Sequence, residues 1–224
     1  MVAALARVRT RLHDACVAVG RSPREVTLIV VTKRFPVSDA AILLDLGVTD
    51  LGESRDQEAK VKAAALPQAA WHFVGQVQTN KARSIAGYAA AVHSLDRAPV
   101  LAALAAGVRR ADRRPLPVFV QVSLDADPSR AGVALDRVDE LAAAVVAEPA
   151  LELLGLMAVA PMTADPADAF ARLAAASAAL VRAHPGATAI SAGMSGDLEQ
   201  AVAGGATHLR IGTALLGSRG AGVG

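Results

Sequence analysis

The sequence holds a single cysteine, Cys16, among 224 residues. That excludes an intramolecular disulfide framework and fits a reducing compartment. Cys16 falls in an amphipathic helical stretch, where a small buried hydrophobe is expected sooner than a nucleophile. Aromatic residues make up only 3%, too few for a broad surface on which nucleic-acid bases would stack. The net charge is +2, with no basic or acidic tail. The densest basic cluster, Arg109, Arg110, Arg113 and Arg114, falls where a helix is predicted to end. Cations there complement the helix dipole, so the cluster reads as a solvated helix end and no nucleic-acid partner is expected. The five histidines show no HExxH spacing, and with one cysteine a zinc site is not expected. No apolar run reaches the roughly 18 residues of a membrane span, and Met1 to Arg11 carries arginines where a signal peptide needs an apolar segment. A cytoplasmic protein without membrane partners is expected. No linker rich in Gly, Pro or Ser divides the chain and no close repeat appears, so residues 1–219 read as one domain and 220–224 as a frayed tail.

What is present is apolar sequence in short, regularly spaced segments. Hydrophobic residues reach 53% against 20% charged, ample for one large core. The organising stretch is Val26-Thr27-Leu28-Ile29-Val30-Val31-Thr32-Lys33. It is apolar or β-branched without alternation, as a strand buried on both faces is. Pro36 stops it nearby, since proline lacks an amide hydrogen and disfavours helix at the preceding residue. Further strands are predicted at Val48–Gly52, Trp71–Gly75, Ala90–Ser94, Val118–Leu124, Leu153–Val159, Thr188–Ser191 and His208–Gly212. Helical patterns lie between them, among them Gln57–Ala65, Ala98–Arg109, Asp136–Glu148, Asp168–His184 and Leu198–Ala203. Ser38 is the predicted cap of a helix ended by Gly47, and Val2 to Val19 reads as a leading helix stopped by Gly20. About eight βα units at this spacing make an α/β protein, a single (β/α)8 TIM-type barrel with an additional N-terminal helix.

The chemistry-bearing residues fall just after strands, where such barrels carry their sites. Lys33 closes the first strand. A partly desolvated amine there suits Schiff-base formation with an aldehyde, although a lysine snorkelling to solvent would look the same. Glu53 follows the second strand as an acid, a base or the salt-bridge partner of a lysine. His72, Gln78, Asn80 and Lys81 surround the third strand; they would bind an anion, or cap the next helix and brace its loop, and His72 reads as a satisfied core group. Ser191-Ala192-Gly193-Met194-Ser195-Gly196-Asp197 and Arg210-Ile211-Gly212-Thr213-Ala214 are loops after the last two strands, with glycines and hydroxyls suited to phosphate. Placed opposite a strand-end lysine, they describe a pyridoxal phosphate site. Arg210 keeps its charge, so a ring nitrogen facing it stays unprotonated and the ring is a weak electron sink. The alternative is a structural Arg210 paired with a carboxylate such as Glu53.

Assembled, these residues resemble the YggS/PROSC family of pyridoxal phosphate homeostasis proteins. The resemblance is carried by Val30-Val31-Thr32-Lys33, Gly52-Glu53, Trp71-His72-Phe73 with Gly75, Gln78, Asn80 and Lys81, and His93-Ser94-Leu95-Asp96. It continues through Gly155-Leu156-Met157, Gly193-Met194-Ser195, and Arg210-Ile211-Gly212-Thr213 with Gly217. It implies a barrel like the cofactor-binding domain of alanine racemase, with pyridoxal 5'-phosphate on Lys33. It also implies that Ser191, Ser195, Gly212 and Thr213 hold the phosphate, Met194 packs nearby and Arg210 faces the ring nitrogen. Two loops depart from the family pattern: Ser54 and Arg55 stand where it has asparagine and an aromatic, and Ser123 and Arg130 where asparagine and lysine are common. The implied role is a non-catalytic carrier or buffer of the cofactor, a monomer whose partners are pyridoxal phosphate and the apoenzymes that use it. A small amino-acid racemase is the second reading and a Schiff-base aldolase a third. Against the racemase, the only tyrosine, Tyr88, is expected away from the site, and no length remains for the extra β-domain that brings alanine racemases their second base.

Overall fold

A computed structural model describes residues 1–125 and 131–217. Arg130 and the tail at 220–224 lie outside the described residues. Helix α1, Val2–Ala18, packs Leu5, Val8, Leu12, Ala15 and Cys16 inward at helical spacing and gives way at Gly20, whose φ of 69° suits glycine. The βα alternation then begins with β1 (Thr27–Val31), α2 (Val37–Asp45), β2 (Asp50–Glu53) and α3 (Asp56–Ala65). It continues through β3 (Ala70–Phe73), α4 (Thr79–Tyr88), β4 (Ala91–Leu95), α5 (Ala98–Arg110) and β5 (Leu116–Gln121). A 3-10 turn leads into α6 (Val138–Val146), followed by β6 (Leu151–Met157), α7 (Pro166–Ala183), β7 (Ala189–Ser191), α8 (Leu198–Ala203), β8 (His208–Ile211) and α9 (Thr213–Leu216). The strands are parallel, pair in sequence order and close on themselves as β8 pairs with β1, so the predicted barrel and its leading helix are both present.

Two boundaries differ from the sequence reading for local reasons. The first strand ends at Val31, because Thr32 to Phe35 form a turn in which Phe35 N–H donates to Thr32 C=O (3.0 Å) and Arg34 takes a left-handed φ of 66°. Helix α2 starts at Val37 with Pro36 in the capping position, so Ser38 lies within the first turn instead of capping it. The arginine cluster ends α5 as expected: Arg109 pairs with Glu148, and Arg113 Nη1 donates to the Ala86 and Ala89 carbonyls where α4 ends.

Strand side chains alternate between two cores. Val30, Leu51, Trp71, Phe73, Val92 and Leu209 point outward into the apolar layer between barrel and helices. Ile29, Val31, Phe119 and Met157 are equally buried but stand outside that layer, in the lumen. The lumen also receives Asp50, His72, His93, Ser191, His208 and Arg210. Bonds joining strands that are not neighbours in the sheet, such as His93 of β4 to Ser191 of β7, can run only through it. Cys16 is fully buried, and burial raises its thiol pKa.

Candidate functional site

Lys33 lies two residues beyond Val31, in the turn at the carboxyl end of β1. Its segment is pinned from both sides. Thr32 N–H donates to Gly52 C=O (2.9 Å), and Arg34 N–H donates to Glu58 Oε2 of α3 (2.8 Å). Thr32 itself points outward and is fully buried; its hydroxyl donates to Glu53 Oε1 (2.6 Å), and Lys62 Nζ donates to its carbonyl (2.8 Å). Lys62 and Glu53, 4% and 1% exposed, form an ion pair between β2 and α3. Glu53 therefore serves Lys62 and not Arg210, which removes the structural pairing considered for that arginine. Lys33 is an exposed residue and not a partly buried one as the sequence suggested, because the chain turns off the strand after Val31.

The other wall is built by the loops after β7 and β8. Gly193 turns at a φ of 88°, and a Cβ there would meet Ala201 Cβ at 2.5 Å, so only glycine fits. Past it, Met194 N–H donates to Asp197 Oδ1 (2.6 Å), and the Met194 side chain is exposed. Ser195 is half-buried. Its Oγ accepts from Ala214 N–H (3.1 Å), and its carbonyl accepts from Arg11 Nη1 (3.2 Å), whose guanidinium grips Glu199 through two bonds of 2.8 Å. The two loops are thus tied to one another and to α1. Gly212 and Thr213 follow β8, and a Cβ on Gly212 would lie 3.5 Å from Val31 C=O. They stand beside Lys33, on the neighbouring strand, and not opposite it as the sequence suggested: closure of the barrel brings the last strand against the first.

Arg210 lies beneath this mouth, 6% exposed, its Nη1 donating to Ser191 Oγ (2.5 Å) and its Nη2 to Ala158 C=O (2.8 Å). Ser191 Oγ also lies 2.8 Å from His93 Nδ1. His93 Nε2 is 2.9 Å from His72 Nδ1, and His72 Nε2 is 3.0 Å from Asp50 Oδ1. His93 stacks on Phe119 with centroids 4.4 Å apart, and His208 meets the same ring edge-on at 5.1 Å. Burial holds the pKa of His93 well below the usual histidine range, with the His72, Arg210 and His208 charges adding to it. Burial first, then His72, lowers His208 to about 4. Burial lowers Arg210 to about 10, against the attraction of Asp197, so it stays charged at neutral pH. The bond from His72 holds the Asp50 carboxyl below its ordinary value.

Of the residues singled out in the sequence, Lys33 follows β1 and Gly212-Thr213 follow the neighbouring β8, Ser195 is bonded to Ala214 beside that turn, Arg210 is buried within β8, and Met194 is exposed in the loop after β7. Ser191 does not join the phosphate-facing group: it is fully buried and its hydroxyl is committed to Arg210 and His93. Gln78 and Lys81, with Ser54, Arg55 and Asp56, line a separate cavity of about 280 Å³ beside α3 and α4. Ser123 turns its hydroxyl onto Asp125 C=O at 2.6 Å. Sequence reasoning gave no part to Asp50, His208 or Lys62. The signal for the first two was a polar residue at lumen parity in a strand otherwise apolar; Lys62 gave none.

The family described as alanine racemase, N-terminal domain, matches residues 17–220. A pyridoxal phosphate homeostasis protein of Mycobacterium leprae is 45% identical over 235 residues, covering 96% of this chain and 91% of that protein. The chain belongs to the pyridoxal phosphate homeostasis family. Among solved structures, PipY of Synechococcus elongatus with pyridoxal phosphate bound superposes with a TM-score of 0.77 at 30% identity, covering 92% of this family member and 100% of PipY. Alanine racemase from Corynebacterium glutamicum shares the fold at a TM-score of 0.69 and 15% identity, and the match covers 98% of this chain but 63% of the racemase. The homeostasis family thus has the racemase barrel. Among the described residues, no helix of this member is long and apolar enough to cross a membrane.

Proposed function

We propose that this homeostasis-family member binds pyridoxal 5'-phosphate at the mouth between β1 and β8 and carries or buffers it in the cytoplasm, without turning over a substrate of its own. The observation that carries the reading is the side-by-side placement of an exposed Lys33 after β1 and of Gly212-Thr213 after the neighbouring β8, with Ser195 from the loop after β7 tied to that turn through Ala214. Neighbouring strands are about 4.8 Å apart, a span that suits the few bonds between the phosphate and the aldehyde of this cofactor. The donor set fits the group. Ser195 Oγ accepts from Ala214 N–H and so keeps its own proton to donate. Thr213 is exposed at the start of a four-residue helix, which is too short for a dipole argument and offers its individual N–H and hydroxyl.

When bound, the cofactor supplies an aldehyde that captures amines reversibly and a phosphate that serves as a handle. Lys33 Nζ would be the amine that holds the aldehyde carbon, while Ser195 and Thr213 would donate to the phosphate oxygens. Arg210 would present a fixed positive charge to the ring nitrogen, which would disfavour a proton on that atom. The open mouth leaves the cofactor accessible for exchange with the apoenzymes that use it, and a monomer suffices for the site. The presence of pyridoxal phosphate in PipY supports this reading.

The test is the absorption spectrum of cofactor-loaded protein, followed by borohydride reduction and peptide mapping. The reduced adduct is expected on Lys33, and Lys33→Ala should lose both the visible band and the adduct. Ser195→Ala removes one charge-assisted bond, worth about 1.5–3 kcal/mol, and should weaken binding roughly ten- to a hundredfold. An adduct elsewhere, or unchanged affinity in the serine variant, would refute the respective assignment.

A further inference from the structure

Arg210, Ser191, His93, His72 and Asp50 form one continuous chain of hydrogen bonds through the lumen, contributed by β8, β7, β4, β3 and β2. Its two ends fix its direction. A guanidinium has only donors, and an ionised carboxylate has only acceptors. Asp50 therefore requires the proton of His72 on Nε2. Neutral His72 then accepts at Nδ1, which requires the proton of His93 on Nε2. Neutral His93 in turn accepts at Nδ1, so Ser191 donates its hydroxyl to His93 and keeps its lone pairs for Arg210. With both imidazoles neutral, no other arrangement satisfies all four links.

The surroundings support that state. His93 and Ser191 are fully buried; His208 on β8 and Asp197 in the loop after β7 are further titratable groups near the His93–Arg210 part of the chain, and Arg9, His13 and Arg24 share a cavity with its Asp50 end. Arg210 has one further anchor, the Ala158 carbonyl. Loss of the Ser191 bond would leave the guanidinium held at one nitrogen and free to rotate. The far end of the chain, Asp50, lies at the opposite mouth of the barrel, where it lines a cavity of about 450 Å³ with Arg9, His13 and Arg24.

We propose that His93 and His72 are positioning residues for the cofactor site: through Ser191 they hold Arg210 in one orientation and keep its remaining donors directed at the ring. This rests on the reading of the mouth as a pyridoxal phosphate site. The carboxylate that orders the chain stands four hydrogen bonds from the guanidinium, so Ser191 and Ala158 orient the arginine, and Asp197 acts on it only through its charge.

Two measurements test this. In cofactor-free protein, histidine side-chain 15N resonances, assigned with His72→Gln and His93→Gln, should show both rings neutral at pH 7.5 with the proton on Nε2. A proton on Nδ1 of either ring, or a doubly protonated ring, overturns the chain whether or not any cofactor binds. In loaded protein, Ser191→Ala and His93→Leu should retain the reducible adduct on Lys33 while losing about tenfold in affinity and shifting the pH midpoint of the visible band. His93→Gln should restore both, because a carboxamide can accept from Ser191 and donate to His72. Unchanged affinity and midpoint in Ser191→Ala and His93→Leu, or equal effects of His93→Gln and His93→Leu, would reduce the histidines to packing groups. A wild-type protein with no adduct on Lys33 would instead refute the reading of the mouth, leaving the resonance result to stand alone.

Discussion

Thr32 is the residue on which the position of Lys33 depends. Its hydroxyl and carbonyl hold Glu53 and Lys62, and its amide holds β2, so the turn that carries Lys33 is fastened to a buried ion pair outside the barrel. Glu53 Oε2 is buried without a partner among the described residues, so the carboxylate relies on Lys62 for its counter-charge. Lys62→Met should accordingly cost about 3–5 kcal/mol, as breaking a buried pair on one side does, while Lys62→Met combined with Glu53→Gln should recover part of it. Urea denaturation of the two variants checks this; equal stability of the single variant and wild type would show that the pair is not needed. Lys33 was legible in the sequence because a buried strand ran into it and a proline followed. Lys62 was not, because Asp-Gln-Glu-Ala-Lys-Val-Lys has the composition of a solvated helix, and only the packing of α3 against β2 shows which lysine turns inward.

At the scale of elements, all eight strands could be placed from apolar runs and punctuating residues, with ends displaced by a few positions. The lumen was less legible. A strand buried on both faces shows no alternation, so the sequence does not announce which residues face inward. The consequence is a pH response. The folded pKa of His208 is about 4 against an ordinary 6.5, and that of His93 is displaced in the same direction. Between those values the unfolded chain binds protons that the folded chain refuses, so stability falls as pH drops from about 6.5 toward 4. Asp50, whose carboxyl pKa is depressed, adds a loss only at lower pH, as the acid passes through its folded value. The urea midpoint should therefore decline between pH 7 and 5, above the carboxylate range, and His208→Gln should flatten part of that decline. A midpoint constant over this interval would contradict the neutral state of His93 and His208.

For the whole molecule, the open question is turnover. Two-base racemisation needs an acid–base group on the face of the cofactor away from Lys33. The one tyrosine, Tyr88, ends α4 and is half-buried, and burial, with Asp56 nearby, raises its phenol pKa, so it stays protonated and is poorly suited to act as a base. The exposed mouth around Lys33 also admits water, which disfavours protecting a carbanion. Loaded protein in heavy water should invert or deuterate single-enantiomer alanine no faster than free cofactor does. Rapid exchange, lost in Lys33→Ala, would replace the carrier by an enzyme. The barrel, the lysine and the two phosphate-suited loops were all legible in the residues, whereas their side-by-side placement was not, because only closure decides which loops become neighbours.

That closure has a temporal meaning. Lys33 comes from the first strand and Thr213 from just past the last, so the two halves of the site are synthesised at opposite ends of the described chain and meet only at the β1–β8 seam. On the proposed placement, a nascent chain lacking β8 would have the amine and Ser195 but not the Gly212-Thr213 turn, and so only part of its hold on the phosphate. A ligand bridging the seam also acts as a clasp on the finished barrel, opposing the separation of its first and last strands. At a hundredfold excess over its dissociation constant it would add about 2.7 kcal/mol to the stability of the fold. On the proposed placement, release of the cofactor would loosen the seam as well as empty the site, and the loaded and unloaded forms should differ in how readily a protease finds its way in.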